Sequence, residues 1–213
     1  ARCGVPFEND TPLHGATLCA LCRRGATAYD WARGFGAYEG ELRHLIHLLK
    51  YRGMEPLARP MAERLASLVP QAGTIDLIVP VPLHRRRRRH RGFNQSELLA
   101  AELGRLVRLP VDRRLLRRRR DTETQTGLTH RQRRLNVQGA FEVRRPERVA
   151  GKTIALVDDV ITTGATAAAC ALTLRRAGAA RVVVLALARA RRRLLDLPAS
   201  PPPPLAREAS CPA

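Results

Sequence analysis

The sequence lacks several features that would assign a protein to a class at once. No run of ~18 consecutive apolar residues occurs, which argues against a membrane span. No positively charged start is followed by an apolar run and a small-residue cleavage site, so no secretory signal is indicated. Aromatic residues make up only 4% of the chain, which is few for a platform that stacks the bases of single-stranded nucleic acid. We therefore expect a cytoplasmic protein.

Cysteine is also scarce, but its spacing is informative. Five cysteines in 213 residues do not form a disulfide scaffold. Cys19 and Cys22 have the C-x-x-C spacing with which two thiolates reach one tetrahedral zinc ion, and Cys3 stands before them. A further cysteine three residues upstream of Cys3 would complete a four-thiolate site, and His14 is a possible substitute ligand. We expect a structural Zn²⁺ in a ribbon without its first cysteine; the alternatives are reduced structural thiols or a redox pair.

Basic residues outnumber acidic ones two to one, and almost all of the basic residues are arginines. The chain has 38 Lys and Arg against 19 Asp and Glu, a formal net charge of +19. Only Lys50 and Lys152 are lysines. GC-rich codons favour arginine, so base composition is an alternative explanation for part of this excess. A net charge of this size attracts polyanions, but it does not choose between nucleic acid and phosphate-bearing ligands.

Length and hydrophobic pattern predict one main domain with an appendage at each end. The chain has 213 residues, of which 45% are hydrophobic, enough for one ordinary core. Amphipathic helices are predicted over residues 39–51 and 56–69, and a buried strand over residues 76–81. The predicted divisions are a zinc-ribbon-like segment at 1–26, the main domain at 27–190 and a disordered Arg- and Pro-rich tail at 191–213.

A strongly basic segment follows the predicted strand at 76–81. It contains five consecutive arginines at 85–89 and leads to Asn94, which we predict as the N-cap of a helix. A basic loop before a helix N-terminus is suited to phosphate, because backbone amides and guanidinium groups both favour anions. The alternative is a solvent-exposed arginine run. Residues 113–140 lack periodicity over much of their length, and a loop this long is usually functional or mobile.

The last third of the chain has the clearest pattern. Residues 152–157 predict a strand, a helix continues to about Ala177, and residues 181–188 predict a second strand. The second strand is apolar throughout, as in a parallel sheet covered on both faces. These elements form a βαβ unit whose crossover should be right-handed. We therefore predict an α/β fold with a mainly parallel sheet flanked by helices.

Two adjacent carboxylates, Asp158 and Asp159, follow the first of these strands. Such a pair at the end of a buried strand is costly unless it meets hydrogen-bond donors or a cation. Ribose hydroxyls are such donors, and Mg²⁺ is such a cation. The turn at residues 162–166 offers hydroxyls, a glycine and consecutive backbone N–H groups, which suit a phosphate. The spacing fits a ribose 5-phosphate, and the P-loop pattern is absent.

This segment, V-D-D-V-I-T-T-G-A-T, resembles the phosphoribosyl pyrophosphate (PRPP) motif of type I phosphoribosyltransferases. Four further segments occur in the order seen in the ComF family. Members of that family are competence-associated, phosphoribosyltransferase-like bacterial proteins. They are the cysteine-bearing start, L-I-H-L-L-K-Y-R-G, V-P-V-P-L with R-G-F-N-Q-S-E-L-L-A, and T-x-x-Q-T-x-L-T-x-x-x-R-x-x-N-V-x-G-A-F. The resemblance runs from Cys3 to about Ala188.

The resemblance implies a type I phosphoribosyltransferase-like fold and a PRPP site. Asp158 and Asp159 would be the catalytic acids, holding the ribose hydroxyls directly or through Mg²⁺. The residues around the ligand's 5-phosphate would be Val160, Thr162, Thr163, Gly164, Ala165 and Thr166. The pyrophosphate and closing loop would involve Pro82, Leu83, Arg85, Arg91, Arg119, Thr122, Gln125, Arg131 and Asn136.

The reaction implied is displacement of pyrophosphate from C1 of the ribose, with Mg²⁺ and arginines neutralising the leaving group. Purine-salvage relatives carry a general base where this chain has Thr162, which disfavours a hypoxanthine- or guanine-type acceptor. A site that binds PRPP without turnover stays open. So do two other functions: a non-catalytic factor that handles single-stranded DNA with competence proteins during uptake, and a PRPP-sensing regulator bound to nucleic acid.

Overall fold

The computed structural model of the chain describes Cys3, Gly4, Cys22 and residues 27–121 and 130–190. Most of the predicted zinc-ribbon segment and the whole predicted tail at 191–213 lie outside the described residues. In the described ranges, none of the helices combines the length and apolar character needed to span a bilayer.

The described elements alternate between strands and helices for most of the chain. In order they are β1 (Trp31–Ala37), α1 (Gly40–Tyr51), a 3₁₀ turn (Glu55–Leu57), α2 (Ala58–Ala66), α3 (Val69–Ala72), β2 (Leu77–Pro80), α4 (Arg85–Arg91), α5 (Gln95–Val107), β3 (Leu116–Arg118), α6 (His130–Val137), β4 (Phe141–Val143), a second 3₁₀ turn (Pro146–Arg148), β5 (Thr153–Ile161), α7 (Ala165–Arg176) and β6 (Arg181–Arg189).

A four-stranded parallel sheet in the order β1-β6-β5-β2 forms the centre of the fold. Helix α7 connects β5 to β6, which is the βαβ unit that the sequence predicts. The short strands β3 and β4 form a separate antiparallel pair. Because the last strand of the described chain lies inside the sheet, the apolar run of β6 is buried from Val182 to Ala188.

The two faces of the sheet pack against separate cores, because successive side chains of a strand point to opposite faces. On one face, Leu156 and Val184 pack in a cluster that includes Cys170 of α7. On the other face, Val157 and Leu185 pack in a cluster with buried residues of α1, α2 and α5. The predicted fold class, α/β with a mainly parallel sheet flanked by helices, is therefore confirmed.

Helix α5 begins where the sequence predicts, and its cap also ties it to the sheet. Asn94 accepts a hydrogen bond from the backbone N–H of Ser96 at 3.1 Å and donates from Nδ2 to the carbonyl of Val81 at 3.1 Å. Leu99 and Leu103 are fully buried against the sheet. One side chain thus fixes the helix start relative to the residue that follows β2.

Two predicted boundaries near the basic segment and the acidic pair are wrong. Strand β5 continues to Ile161, because its pairing with β6 persists through Asp158 and Val160, so the acids lie inside the strand. The predicted basic loop is instead helix α4. His84 caps its start by accepting from the backbone N–H of Arg86 at 3.4 Å, and Gly92 ends it at a φ of +85°.

The sequence also misses ordered structure at two further places. Residues 113–140, expected to be irregular, contain β3 and α6. Strand β1 is not predicted, because glycines interrupt its apolar alternation. Gly34 is required there: a Cβ at this position would lie 2.8 Å from the backbone nitrogen of Arg189 on the neighbouring strand. Close approach of two backbones therefore explains why a strand contains this residue.

Candidate functional site

A cavity of about 420 Å³ opens where β2 and β5 end. The carboxyl edge of a parallel sheet is the usual ligand position in α/β folds. Helices α1, α4, α5 and α7 and strand β3 supply the other walls. The lining residues are Tyr38, Lys50, Val81, Pro82, Leu83, Arg87, Arg91, Asn94, Gln95, Ser96, Arg118, Asp158, Asp159, Val160, Thr162 and Thr166.

The two acids of β5 are buried at this cavity and are held by specific contacts. Ser96 Oγ donates to Asp158 Oδ1 at 3.2 Å, and the backbone N–H of Asp159 donates to the same oxygen at 2.9 Å. The backbone N–H of Val160 donates to Asp159 Oδ1 at 2.6 Å. Lys50 Nζ lies 2.9 Å from Asp159 Oδ2. Three of the four carboxylate oxygens therefore have a described partner.

Lys50 reaches the acids from the last turn of α1. The helix is positioned by Ile46 and Leu49, which are fully buried against the sheet. The side chain of Lys50 is only 14% exposed. Burial disfavours its charged form, but attraction to Asp159, and then to Asp158, outweighs burial and raises the pKa of Lys50. The ammonium group is therefore a fixed positive charge of the cavity.

Asp158 is the group whose charge depends most on the folded structure. Burial raises its pKa first, and the charge of Asp159 raises it further, whereas Lys50 lowers it. The net effect raises the pKa of Asp158 from 3.8 to about 7. Near neutral pH the ligand-free cavity is thus occupied partly by a neutral carboxyl group that can donate a hydrogen bond.

Three arginines line the same cavity. Arg87 and Arg91 are four residues apart on α4 and so project from one helix face. Arg91 donates to Gln95 Oε1 at 2.6 Å. Arg118 comes from β3, is only 8% exposed and lies over the Phe141 ring at 5.4 Å. Burial, and then the charge of Arg87, lowers the pKa of Arg118. Each of the three offers a planar set of donors suited to phosphate oxygens.

The turn between β5 and α7 is shaped by one glycine. Gly164 has a φ of +78°, in the left-handed region, and a Cβ there would lie 3.1 Å from Tyr29 Oη. The hydroxyl of Thr163 accepts from the backbone N–H of Ala165 at 3.2 Å. Thr162 and Thr166 face the cavity. The helix N-terminus therefore opens onto the same space as the acids.

The structure brings together about half of the residues predicted for the site. Eight of them line the cavity: Pro82, Leu83, Arg91, Asp158, Asp159, Val160, Thr162 and Thr166. Thr163, Gly164 and Ala165 form the turn beside it. Asn136 lies on α6, where Arg120 donates to its carbonyl at 3.2 Å.

Other predicted residues lie elsewhere. Arg119 pairs with Glu142 at 3.2 Å. Arg85 lines a shallow depression of about 480 Å³ on the outer side of α4, together with Arg88, Arg89 and Gly92. Arg131 belongs to α6, but its side chain is outside the described part of the chain, as are Thr122 and Gln125.

The predicted zinc ligands are only partly described. Cys3 and Cys22 are each 3% exposed and share one core cluster with Tyr29 and Ala32. Cys19 lies outside the described residues. Within the described ranges, no group of three or more His, Cys, Asp or Glu side chains is placed to hold a metal ion. The zinc site stays a prediction.

Eight of the lining residues are not among the predicted site residues: Tyr38, Lys50, Val81, Arg87, Asn94, Gln95, Ser96 and Arg118. Arg87 belongs to the arginine run at 85–89, which the sequence predicts to suit phosphate, and Asn94 is predicted as a helix N-cap. Tyr38 and Ser96 lie far from the acid pair in sequence, and no local motif marks them. Lys50 carries a compositional signal. Of 38 Lys and Arg residues two are lysines, which leaves 36 arginines, and a lysine in such a chain stands out from the compositional bias.

Comparison with family models gives no match. Among curated proteins, the chain is 36% identical over 187 residues to the DNA utilization protein YhgH of Escherichia coli strain K12, covering 85% of this chain and 79% of that protein. It is 33% identical over 170 residues to Competence protein F of Haemophilus influenzae, covering 76% and 74%. It is 36% identical over 99 residues to Competence protein ComFC of Bacillus subtilis, covering 45% and 38%.

Solved structures align more distantly. One is the glutamine PRPP amidotransferase from B. subtilis in complex with ADP and GMP, with 20% identity and a TM-score of 0.42. That alignment covers 62% of this chain but only 26% of the amidotransferase, about a quarter of its length. Another is adenine phosphoribosyltransferase from Saccharomyces cerevisiae, with 19% identity, a TM-score of 0.38 and coverage of 66% and 72%.

Proposed function

The chain belongs to the ComF family, and on that premise we propose that its cavity binds PRPP or a closely related ribose 5-phosphate ligand and transfers the phosphoribosyl group to an acceptor. The observation that carries the proposal is one juxtaposition. A buried acid pair, the two threonines that flank the glycine turn at the N-terminus of α7, and three arginines line a single cavity. Its volume of about 420 Å³ lies within the usual range for small-molecule sites.

Each part of this cavity suits one part of such a ligand. Carboxylate oxygens of Asp158 and Asp159 accept hydrogen bonds from the 2′- and 3′-hydroxyls of a ribose. The hydroxyls of Thr162 and Thr166, with the N-terminus of α7, bind the 5-phosphate. The three arginines bind the diphosphate at C1 through charge-assisted hydrogen bonds.

Mg²⁺ would be held by Asp158 and Asp159, because hard cations prefer carboxylate oxygens. When bound, it would supply positive charge to the phosphate oxygens of the ligand. The acids fit this role by chemistry, although Asp159 Oδ2 already faces Lys50.

In the proposed reaction a lone pair of the acceptor forms a bond to C1 while the bond between C1 and the diphosphate oxygen breaks, and the diphosphate leaves with the bonding electrons. Arg87, Arg91 and Arg118 stabilise the charge that develops on it, since they are already positioned before the bond breaks. The acid pair orients the ribose ring as positive charge develops at C1. Thr162 stands where a purine-type general base would be, so the acceptor must deprotonate without that group.

The first test is binding of PRPP in the presence of Mg²⁺, measured by titration calorimetry, followed by assay of pyrophosphate release with candidate acceptors. The double change Asp158→Asn and Asp159→Asn should reduce affinity by at least about a hundredfold, because each charge-assisted contact contributes about 1.5–3 kcal/mol. Glu41→Gln with Glu63→Gln removes the same charge from exposed helix positions and should leave affinity unchanged. No binding of PRPP by folded wild-type protein would overturn the proposal.

A second candidate function is handling of single-stranded DNA; the relatives are named for DNA utilization and for competence. The specific observation in its favour is the outer side of α4, where Arg85, Arg88 and Arg89 surround an open depression. Affinity for a single-stranded oligonucleotide should fall steeply with salt. Arg85→Gln with Arg89→Gln should reduce that slope by about 1.4, since each phosphate contact on a single strand accounts for about 0.7. An unchanged slope would remove α4 from the DNA interface.

A further inference from the structure

More basic than acidic side chains line the cavity. Among the described residues, four basic side chains, Lys50, Arg87, Arg91 and Arg118, line it against two acidic ones. Mg²⁺ is usually bound by one or two carboxylates together with the phosphates of its ligand, and the metal then supplies positive charge to those phosphates. Here the protein itself supplies that charge.

The contact between Lys50 and Asp159 places this charge where a cation would bind. The ammonium nitrogen lies 2.9 Å from Asp159 Oδ2, with side-chain exposures of 14% for Lys50 and 5% for Asp159. The other oxygen of Asp159 already accepts from the backbone of Val160 at 2.6 Å. A compact ammonium group is the side chain that most resembles a small cation. Any metal that approached Asp159 Oδ2 would have to displace Lys50.

We infer that Lys50 and a divalent cation are alternative partners of Asp159, and that with Lys50 in place the cavity binds its phosphoribosyl ligand without divalent metal. The inference rests on the proposed function, since it concerns the same ligand. Lys50 neutralises the acid pair, which keeps the acids compatible with a nearby anionic ligand. The three arginines neutralise the diphosphate. Together these side chains perform the electrostatic work of binding that a metal performs elsewhere.

A purely structural role for Lys50 gives different expectations. As a link between α1 and β5, it would contribute to stability, but ligand binding would still require metal. The two roles separate when affinity is measured with and without metal, because a structural link affects both conditions equally.

The experiment is calorimetric titration of the full chain with PRPP, once in excess EDTA and once in saturating Mg²⁺. We expect wild-type affinities in the two conditions to agree within about threefold, less than the tenfold that 1.4 kcal/mol represents. Lys50→Met should lose about tenfold to a hundredfold in EDTA, the size of one charge-assisted contact, and recover most of this loss in Mg²⁺. Lys50→Arg keeps the charge and should retain metal-free binding.

Lys152→Met, at the other lysine of the chain, is the matched control and should bind as wild type in both conditions. If wild-type protein binds PRPP in Mg²⁺ but not in EDTA, the inference is wrong and the proposed function stands. If it binds in neither condition, the proposed function fails and the inference with it. Should Lys50→Met not fold, the comparison of wild type in EDTA and Mg²⁺ still decides the question.

Discussion

The charged side chains at the end of β5 and those on helix α4 differ in how far they are buried and how closely they are held by partners. Asp159 is buried, with 5% of its side chain exposed, and each contact around it is specified. Arg86 on α4 is 83% exposed, and its contact with Asp121 is 3.8 Å long. Exposed ion pairs of this kind stabilise little. The comparison shows that burial against specific partners, and not the number of charges, distinguishes the acid pair from the exposed arginines of α4.

The difference extends within α4 itself. Arg87 and Arg91 are partly buried and line the cavity, whereas Arg85 and Arg89 are exposed. Both pairs have the same spacing, the same charge and the same helix. They therefore offer an internal test of whether position or charge determines ligand binding.

The largest predicted effect is on PRPP affinity, when both arginines of the cavity-lining pair are replaced by glutamine. Arg87→Gln with Arg91→Gln should weaken PRPP binding by about 10²–10⁴-fold, since two charge-assisted contacts of about 1.5–3 kcal/mol are lost. Arg85→Gln with Arg89→Gln should weaken it by less than about threefold, because exposed charges are screened by salt. Titration calorimetry of both variants provides the measurement. Equal losses in the two variants would mean that net charge alone drives binding.

The next effect concerns the cost of burying Asp158. The pKa of Asp158 is about 7 in the folded protein, compared with 3.8 for the carboxyl group in an unfolded chain. Folding therefore favours the protonated form. The stability that this group contributes is complete below about pH 4 and is lost as pH rises to about 7. Asp158→Asn, which cannot ionise, should therefore raise the free energy of unfolding of the ligand-free protein by about 2–4 kcal/mol above pH 7.

Denaturant unfolding of wild type and Asp158→Asn between pH 4 and pH 8 checks this prediction. The difference between the two proteins should shrink towards zero as the pH approaches 4, where the aspartic acid is neutral in both states. Glu63→Gln, on the exposed side of α2, should change stability by less than about 0.5 kcal/mol throughout. A difference that does not vary with pH would contradict burial of an ionisable Asp158.

Much of the fold was predictable because its strongest patterns are local. The βαβ unit of β5, α7 and β6 and the Asn94 cap follow from apolar runs and capping residues. Helix α4 was not predictable from periodicity, since it has no apolar face. Its ends are set by His84 and Gly92, whose roles depend on backbone geometry.

The only part of the site that could be predicted is the part whose residues lie together in one short segment of the sequence. Asp158, Asp159 and the turn after them lie together in sequence, so their chemistry could be recognised. Ser96 is separated from Asp158 by 62 residues, and only packing of α5 on the sheet brings them together. Lys50 depends in the same way on the packing of α1. Tertiary contacts of this kind leave no local pattern.

The smallest predicted effect tests the cap that joins α5 to the end of β2. Asn94→Ala removes the hydrogen bond to Ser96 and the one to Val81 and should cost about 1–2 kcal/mol of unfolding free energy. Ser67→Ala, which removes an exposed bond to the carbonyl of Arg64, should cost less than about 0.5 kcal/mol. Urea unfolding measures both. Equal costs would show that the Asn94 contacts are no stronger than exposed ones.

The position of β6 has a consequence for how the protein is made. Among the described strands it is synthesised last, yet it lies between β1 and β5, and Trp31 is paired in register with Val183. A chain still emerging from the ribosome must therefore hold β1 without a neighbour until residue 189 has left the exit tunnel. Long-range pairing of this kind folds slowly and leaves apolar strand edges exposed in the meantime. Biogenesis of this domain thus requires that the first of the described strands stay unpaired until the last of them has been synthesised.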